Sequence, residues 1–127
     1  MKTPEAIIKA WLQAVNSGET EAVLAFYDKS AVLIPTFSNK ILKTQEDIRE
    51  YFIKLESREQ LSVELHEKTL FIQNIKDNVF ATSGIYCWHF SVEGELLSFE
   101  ARFSYVLNLD LPRPIVQHHS SQIPRML

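Results

Sequence analysis

The residues best able to do chemistry gather toward the end of the chain, in residues 98–121, SFEARFSYVLNLDLPRPIVQHHSS. Arg102 stands there among apolar neighbours, and His118 and His119 follow within twenty residues. A guanidinium among apolar side chains needs a partner, because burying an unpaired charge is costly. Its planar fork suits a carboxylate or phosphate group of a ligand, and it suits equally an internal pair with Glu100, two positions away on the same strand face. An imidazole titrates near neutrality, so a pocket histidine could act as acid or base, or simply as a hydrogen-bonded structural group. His118 and His119 point to opposite faces of a strand and cannot form one metal pair. The expectation is that Arg102 and one of these two histidines look into a common pocket. Tyr27, Tyr51, Tyr86 and Trp88 would line that pocket with hydroxyls and an indole N–H, or serve as plain core.

The remaining candidates are weaker. Asp28 and Glu100 are the acids available to an isomerase-like site, with Tyr27 or Tyr86 as the oxyanion donor. Asp28 lies in an apparent turn, where Asp commonly serves local hydrogen bonding. Cys87 is the only cysteine, has no base beside it in sequence, and reads as a small buried hydrophobe. His66 and His89 carry no motif. No metal-ligand spacing and no cofactor fingerprint occurs, and three glycines leave little room for a phosphate-binding loop. Neither a metal nor a cofactor is expected.

These residues need elements to hold them. Thr3-Pro4-Glu5 starts a helix, with Thr3 as cap, Pro4 at the first turn and Glu5 complementing the dipole. Ile7, Ala10, Trp11, Ala14 and Val15 recur at helical spacing, and Ser17-Gly18 ends the run. A second short helix is predicted over residues 19–27, then a turn at 28–30 and a short buried strand at 31–34 stopped by Pro35. Phe37, set among polar residues in the loop that follows, reads as a lid or interface side chain. Thr44 caps a third helix whose stripe is Ile48, Tyr51, Phe52 and Leu55. The period then changes to two. One strand is predicted over residues 62–75, with an irregularity near Glu67-Lys68. A hairpin turn at 75–79 leads to a strand over 79–90, with Gly84 marking a bulge or bend. Two more strands cover residues 99–107 and 115–121. Helices followed by strands give an α+β fold, with the helices gathered on one face of an antiparallel sheet.

The totals bound the rest. The 127 residues suit one domain, and 46% hydrophobic residues suffice for a core that eight Phe, four Tyr and two Trp make bulky. A net charge of −3 without a basic stripe argues against nucleic acid. A single cysteine excludes an intrachain disulfide and fits a cytoplasmic setting. No run approaches the roughly 20 apolar residues of a membrane span, and a signal peptide is not expected, since Glu5, Lys9 and Gln13 interrupt the first apolar stretch.

Five strings carry a resemblance: AVLIPTFSN at 31–39, IREYF at 48–52, SGIY at 83–86, ARF at 101–103 and HHSS at 118–121. In this order the chain resembles the nuclear transport factor 2-like superfamily. More narrowly it resembles its SnoaL-like members of the SgcJ/EcaC type, relatives of the calcium/calmodulin-dependent kinase II association domain. The resemblance implies a cone: a curved antiparallel sheet packed against three N-terminal helices. It further implies a homodimer or larger ring built across the open sheet, and a pocket for a small molecule. In the kinase domain a pocket arginine sits in a Glu-x-Arg string that maps onto Glu100-Ala101-Arg102. A second pocket arginine maps onto Ser120 and is absent here. A tryptophan before the last strand is also absent, with Arg113-Pro114 in its place. The expected function is a homo-oligomeric small-molecule-binding domain holding a polar or anionic ligand group at Arg102. The alternatives are a cofactor-free isomerase, lyase or hydrolase using the same cone, and a purely structural oligomerisation domain.

Overall fold

The protein is described by a computed structural model covering residues 2–124. Helix α1 (Pro4–Asn16) starts as its sequence dictates, the Ala6 amide donating to the Thr3 hydroxyl at 3.1 Å. Its buried stripe is Ile7, Ile8, Trp11, Leu12 and Val15. After Gly18, which adopts φ +78°, comes the one-turn helix α2 (Thr20–Leu24). Strand β1 (Tyr27–Ile34) follows directly. Tyr27 was expected to end the second helix and instead opens this strand. The reason is long-range: the Ile115 amide donates to the Phe26 carbonyl at 2.8 Å, drawing the chain out of the helix into a sheet ladder.

Helix α3 (Gln45–Glu56) is capped by Thr44, which accepts from the Asp47 amide at 3.1 Å, and buries Ile48, Phe52 and Leu55. Strand β2 (Ser62–Leu65) and strand β3 (Phe71–Lys76) are separated by a 3-10 turn at Glu67–Thr69, where the sequence predicted an irregularity in one longer strand. Strands β4 (Val79–Val92), β5 (Glu95–Asn108) and β6 (Ile115–Gln122) complete a six-stranded sheet. The order is β1-β6-β5-β4-β2, with β3 also paired to β4. The sheet is antiparallel except where β1 runs parallel to β6.

The three helices cover the concave face, and the shared core includes Trp11, Tyr27, Phe52, Tyr86, Trp88, Phe103 and Tyr105. Gly84 does not mark a bulge, because the β4–β5 register runs through it unbroken. A Cβ there would meet the Phe103 ring at 3.0 Å and the Thr69 hydroxyl at 3.2 Å, so the position is small because an aromatic ring crosses it. Among the described residues no helix is long and apolar enough to cross a membrane.

Candidate functional site

Alternation along β5 decides which residues the cone encloses. Ala101, Phe103, Tyr105 and Leu107 are buried, while Glu100, Arg102 and Ser104 are exposed. Arg102 pairs in register with Ile85 and Ser121 on the outer, convex face. This corrects the sequence expectation: Arg102 does not enter the cone. The aromatic residues, which win more free energy from burial, claim the concave side, and period two sends Arg102 the other way. Nor does Arg102 pair with Glu100, whose carboxylate lies 3.2 Å from His66 Nε2.

The two histidines separate as alternation requires. His118 is 2% exposed and sits inside; His119 lies outside, its ring hydrogen-bonded to the Ser121 hydroxyl at 3.0 Å. The pairing of Arg102 with a pocket histidine is therefore not made within the chain. Val106 pairs with Gln117, but Leu107 pairs with Ile115, so Val116 is the extra residue of a bulge. The bulge turns Ile115 inward with His118, where simple alternation had set them on opposite faces.

Inside, aromatic rings and a polar thread share one space. The Trp11 indole N–H donates to the Tyr27 hydroxyl at 3.1 Å. That hydroxyl lies 2.8 Å from His118 Nδ1, and His118 Nε2 lies 3.1 Å from the Tyr86 hydroxyl. Tyr27, Tyr86, Tyr105 and Trp11 are all essentially inaccessible to solvent. Burial pushes the His118 imidazole down to about 3, with His119 adding a smaller push, so it is neutral at physiological pH. Burial likewise raises the Tyr27 and Tyr86 phenols well above their ordinary range.

Counting protons gives this thread a direction. Trp11, Tyr27, neutral His118 and Tyr86 each bring one hydrogen, but only three links join them. One donor within the thread is therefore left to find its acceptor beyond it. With the proton on Nε2, Tyr27 donates to Nδ1, His118 donates to Tyr86, and the unspent hydrogen belongs to Tyr86. With the proton on Nδ1 it belongs to Tyr27. Beside Tyr86 the Trp88 indole N–H, also buried, stabilises the phenolate form of Tyr86 without closing a hydrogen bond to any described group. The Thr36 and Ser120 hydroxyls, bonded to one another, exert the same influence on Tyr86.

Tyr51 reaches this region from α3. Its hydroxyl accepts from the Phe37 amide at 3.3 Å, and burial pushes its phenol up to about 12. Phe37 packs against the core at this end, its ring set edge-on against Trp88, Phe90 and Phe99. Outside it opens a cleft of roughly 1250 Å³ between α3, the 37–42 loop and the end of β4.

Five of the residues singled out in the sequence thus converge on the interior: Tyr27, Tyr51, Tyr86, Trp88 and His118. Arg102 and His119 do not. Sequence reasoning missed Trp11, Thr36 and Ser120 as members. Trp11 fitted a helical core stripe so well that its N–H carried no separate signal. Among the described residues the buried polar side chains of the core are Thr82, His118 and Ser120, and no carboxylate joins them. Asp28 is held by the Ser30 hydroxyl and amide at 2.7 and 3.0 Å, which lowers its pKa and explains its place at the strand's start.

A family model described as a SnoaL-like domain matches residues 5–126. No curated protein matches the chain. Among solved structures, a Xanthomonas campestris protein named for the calcium/calmodulin-dependent protein kinase II association domain superposes with a TM-score of 0.86 at 23% identity, covering 96% of this chain and 86% of its own. A ketosteroid isomerase-like protein from Erwinia carotovora atroseptica gives 0.75 at 14% identity, covering 95% and 94%. A Streptomyces avermitilis protein of the NTF2-like family, named as a dehydratase, gives 0.79 at 10% identity, again covering 95% and 94%. At these identities the superpositions speak for the fold, which is that of NTF2-like proteins, and the match over nearly the whole sequence speaks for the family: the chain belongs to the SnoaL-like domain family.

Proposed function

We propose that this protein is a single-domain, homo-oligomeric small-molecule-binding protein. Its ligand would enter from the cleft beside α3 and present a hydrogen-bond acceptor to the Tyr86 and Trp88 donors. The observation that carries this reading is the buried Trp88 indole N–H, which no described group accepts, beside the Tyr86 hydroxyl. An unmet N–H or O–H removed from water costs about 1–3 kcal/mol, and a ligand oxygen would recover that cost. The reading moves the polar anchor from Arg102 to the interior and replaces an anion clamp with neutral donors.

The outer sheet face supports the oligomeric half. Phe71 is 66% exposed, and its register with Ser83 places it on the convex side, the face that also carries Ile85 and Val106. Such a patch is best covered by another surface, and a second copy of the chain offers the matching one.

The test is native mass spectrometry of the purified protein, followed by titration of whatever small molecule co-purifies. Trp88→Phe should weaken that ligand at least tenfold while leaving the melting temperature within a few degrees. A ligand indifferent to both Trp88→Phe and Tyr86→Phe would sink the proposal.

A second reading is favoured by one observation: the cone is packed with the chain's own aromatic rings. This is a purely structural oligomerisation domain. It predicts a stable oligomer in which no ligand reaches Trp88 under any condition.

A further inference from the structure

The ring of Phe37 occupies a seat built from other rings. Its centroid lies 5.9 Å from Trp88, 5.3 Å from Phe90 and 5.4 Å from Phe99, at interplanar angles of 81°, 83° and 78°. Phe90 and Phe99 stack on each other at 4.8 Å and so present their flank as one wall. Edge-to-face contacts of this kind favour a planar aromatic guest over an aliphatic one.

The occupant is held more loosely than its seat. Phe37 belongs to a turn outside any helix or strand and is only partly buried. Its amide makes one long hydrogen bond, 3.3 Å, to the Tyr51 hydroxyl. The neighbouring cleft gives the ring somewhere to go. Trp88, one wall of the seat, carries the buried N–H that no described group accepts. Phe37 brings a hydrocarbon ring to this place and nothing that could accept that proton.

We propose that Phe37 is a built-in placeholder for the ligand's ring. The ligand class this selects is a single planar aromatic ring carrying an uncharged oxygen acceptor, such as a ring ketone or aldehyde. A guest of that shape keeps the three edge-on contacts and in addition offers an acceptor to the Trp88 N–H, which no described group meets. The charge of the cleft fits an uncharged guest: Lys40, Lys54 and Arg58 are matched by four carboxylates on the same lining. Phe37 then competes with the ligand inside the same molecule, and the observed affinity is reduced by the fraction of time the seat is taken. This inference rests on the proposed ligand-binding function and adds to it the identity of the gate and the class of guest.

The experiment uses the full chain and acetophenone as probe, with ethylbenzene as the same shape lacking the acceptor. The protein is labelled with 4-fluorophenylalanine and the Phe37 signal is assigned by comparison with Phe37→Leu. Titrating acetophenone should move the Phe37 fluorine signal to the solvent-exposed position and shift the Trp88 Nε1–H resonance. Ethylbenzene should bind at least tenfold more weakly. Phe37→Ala should bind acetophenone at least tenfold more tightly than the wild type and keep that preference over ethylbenzene.

Three results would overturn the placeholder: acetophenone binding with the Phe37 signal unmoved, equal affinities in wild type and Phe37→Ala, or a Phe37→Ala variant that takes both probes alike and so is merely a hole. The two proposals can fail separately. A co-purified ligand that depends on Trp88 while Phe37 stays seated leaves the function standing and removes the placeholder. Displacement of Phe37 by acetophenone in a protein whose cellular ligand ignores Trp88 does the reverse.

Discussion

The His118 imidazole lies flat against the Tyr105 ring, with centroids 3.9 Å apart and planes 13° from parallel. The two residues are also register partners across β5 and β6. Yet only one of them joins the polar thread, because the Tyr105 hydroxyl has no partner among the described residues. The ring is therefore useful here and the hydroxyl is a burden. Tyr105→Phe should leave stability unchanged or raise it by up to about 1 kcal/mol. Tyr27→Phe should cost about 2–4 kcal/mol, because it strands both the Trp11 N–H and His118 Nδ1. Urea unfolding of the two variants checks the contrast, and equal losses would contradict the assigned network.

Two groups make stability depend on pH in opposite directions. His118 has a folded pKa near 3, below its unfolded value of 6.5. Its contribution is complete above pH 6.5 and is lost as the pH falls toward 3, by on the order of 3 kcal/mol at pH 4. Glu56 is raised by burial from 4.5 to about 7, and its Oε1 has no partner. The folded state holds that proton more tightly, so Glu56 favours folding below pH 4.5 and disfavours it progressively as pH rises through 7. Because the group is half exposed, about 1 kcal/mol is a suitable discounted figure. Glu56→Gln should therefore stabilise the protein at pH 8 and steepen its loss of stability on acidification. His118→Gln should flatten that loss. Denaturant midpoints measured from pH 8 to pH 4 decide both.

Gly84 should resist even the smallest side chain. An added methyl would press on the Phe103 ring and the Thr69 hydroxyl, which itself accepts from the Ile85 amide at 2.8 Å. Gly84→Ala should lose about 1–3 kcal/mol through overpacking. Phe103→Leu introduced alongside it should restore part of that loss if the ring is the cause, a coupling readable from a double-mutant cycle.

On the convex face, Phe71→Glu should convert an oligomer to monomers without harming the fold, since Phe71 is 66% exposed within the chain. Sedimentation at high micromolar concentration is the measurement. A wild-type monomer there would remove the oligomeric half of the proposal. Arg102→Ala, on the same face, should leave interior ligand binding intact and alter thermal stability by no more than about 0.5 kcal/mol.

Much of this fold is legible in the sequence because local signals and global packing agree. Thr3 and Thr44 cap the helices they announce, and the stripes through Trp11 and Phe52 are buried as spaced. The errors fall where distant partners overrule local pattern. Tyr27 continues a helical pattern until Ile115 bonds to the residue before it. Val116 carries no mark of the bulge that turns Ile115 inward. For Arg102 the period was right and the choice of face was wrong. A charged residue between aromatic ones suggests a pocket when the strand is read alone. With the sheet assembled, the same alternation assigns the charge to the side away from the helices. The interior donors are visible as residue types; that the Trp88 N–H lacks an acceptor is not, since it appears only when every partner is placed.

The parallel pairing of β1 with β6 has a consequence for how the chain is made. Leu33 sits beside His118, more than eighty positions later, and Ile34 beside His119. As the polypeptide leaves the ribosome, β1 emerges with the helices but must wait for nearly all the remaining strands before its own neighbour exists. Contacts of such high sequence separation slow folding, and an unmatched strand edge invites the wrong company in the interval. His118, which completes the polar thread, arrives on that same late strand, so the nascent chain can hold its helices in place well before its interior has any means of being finished.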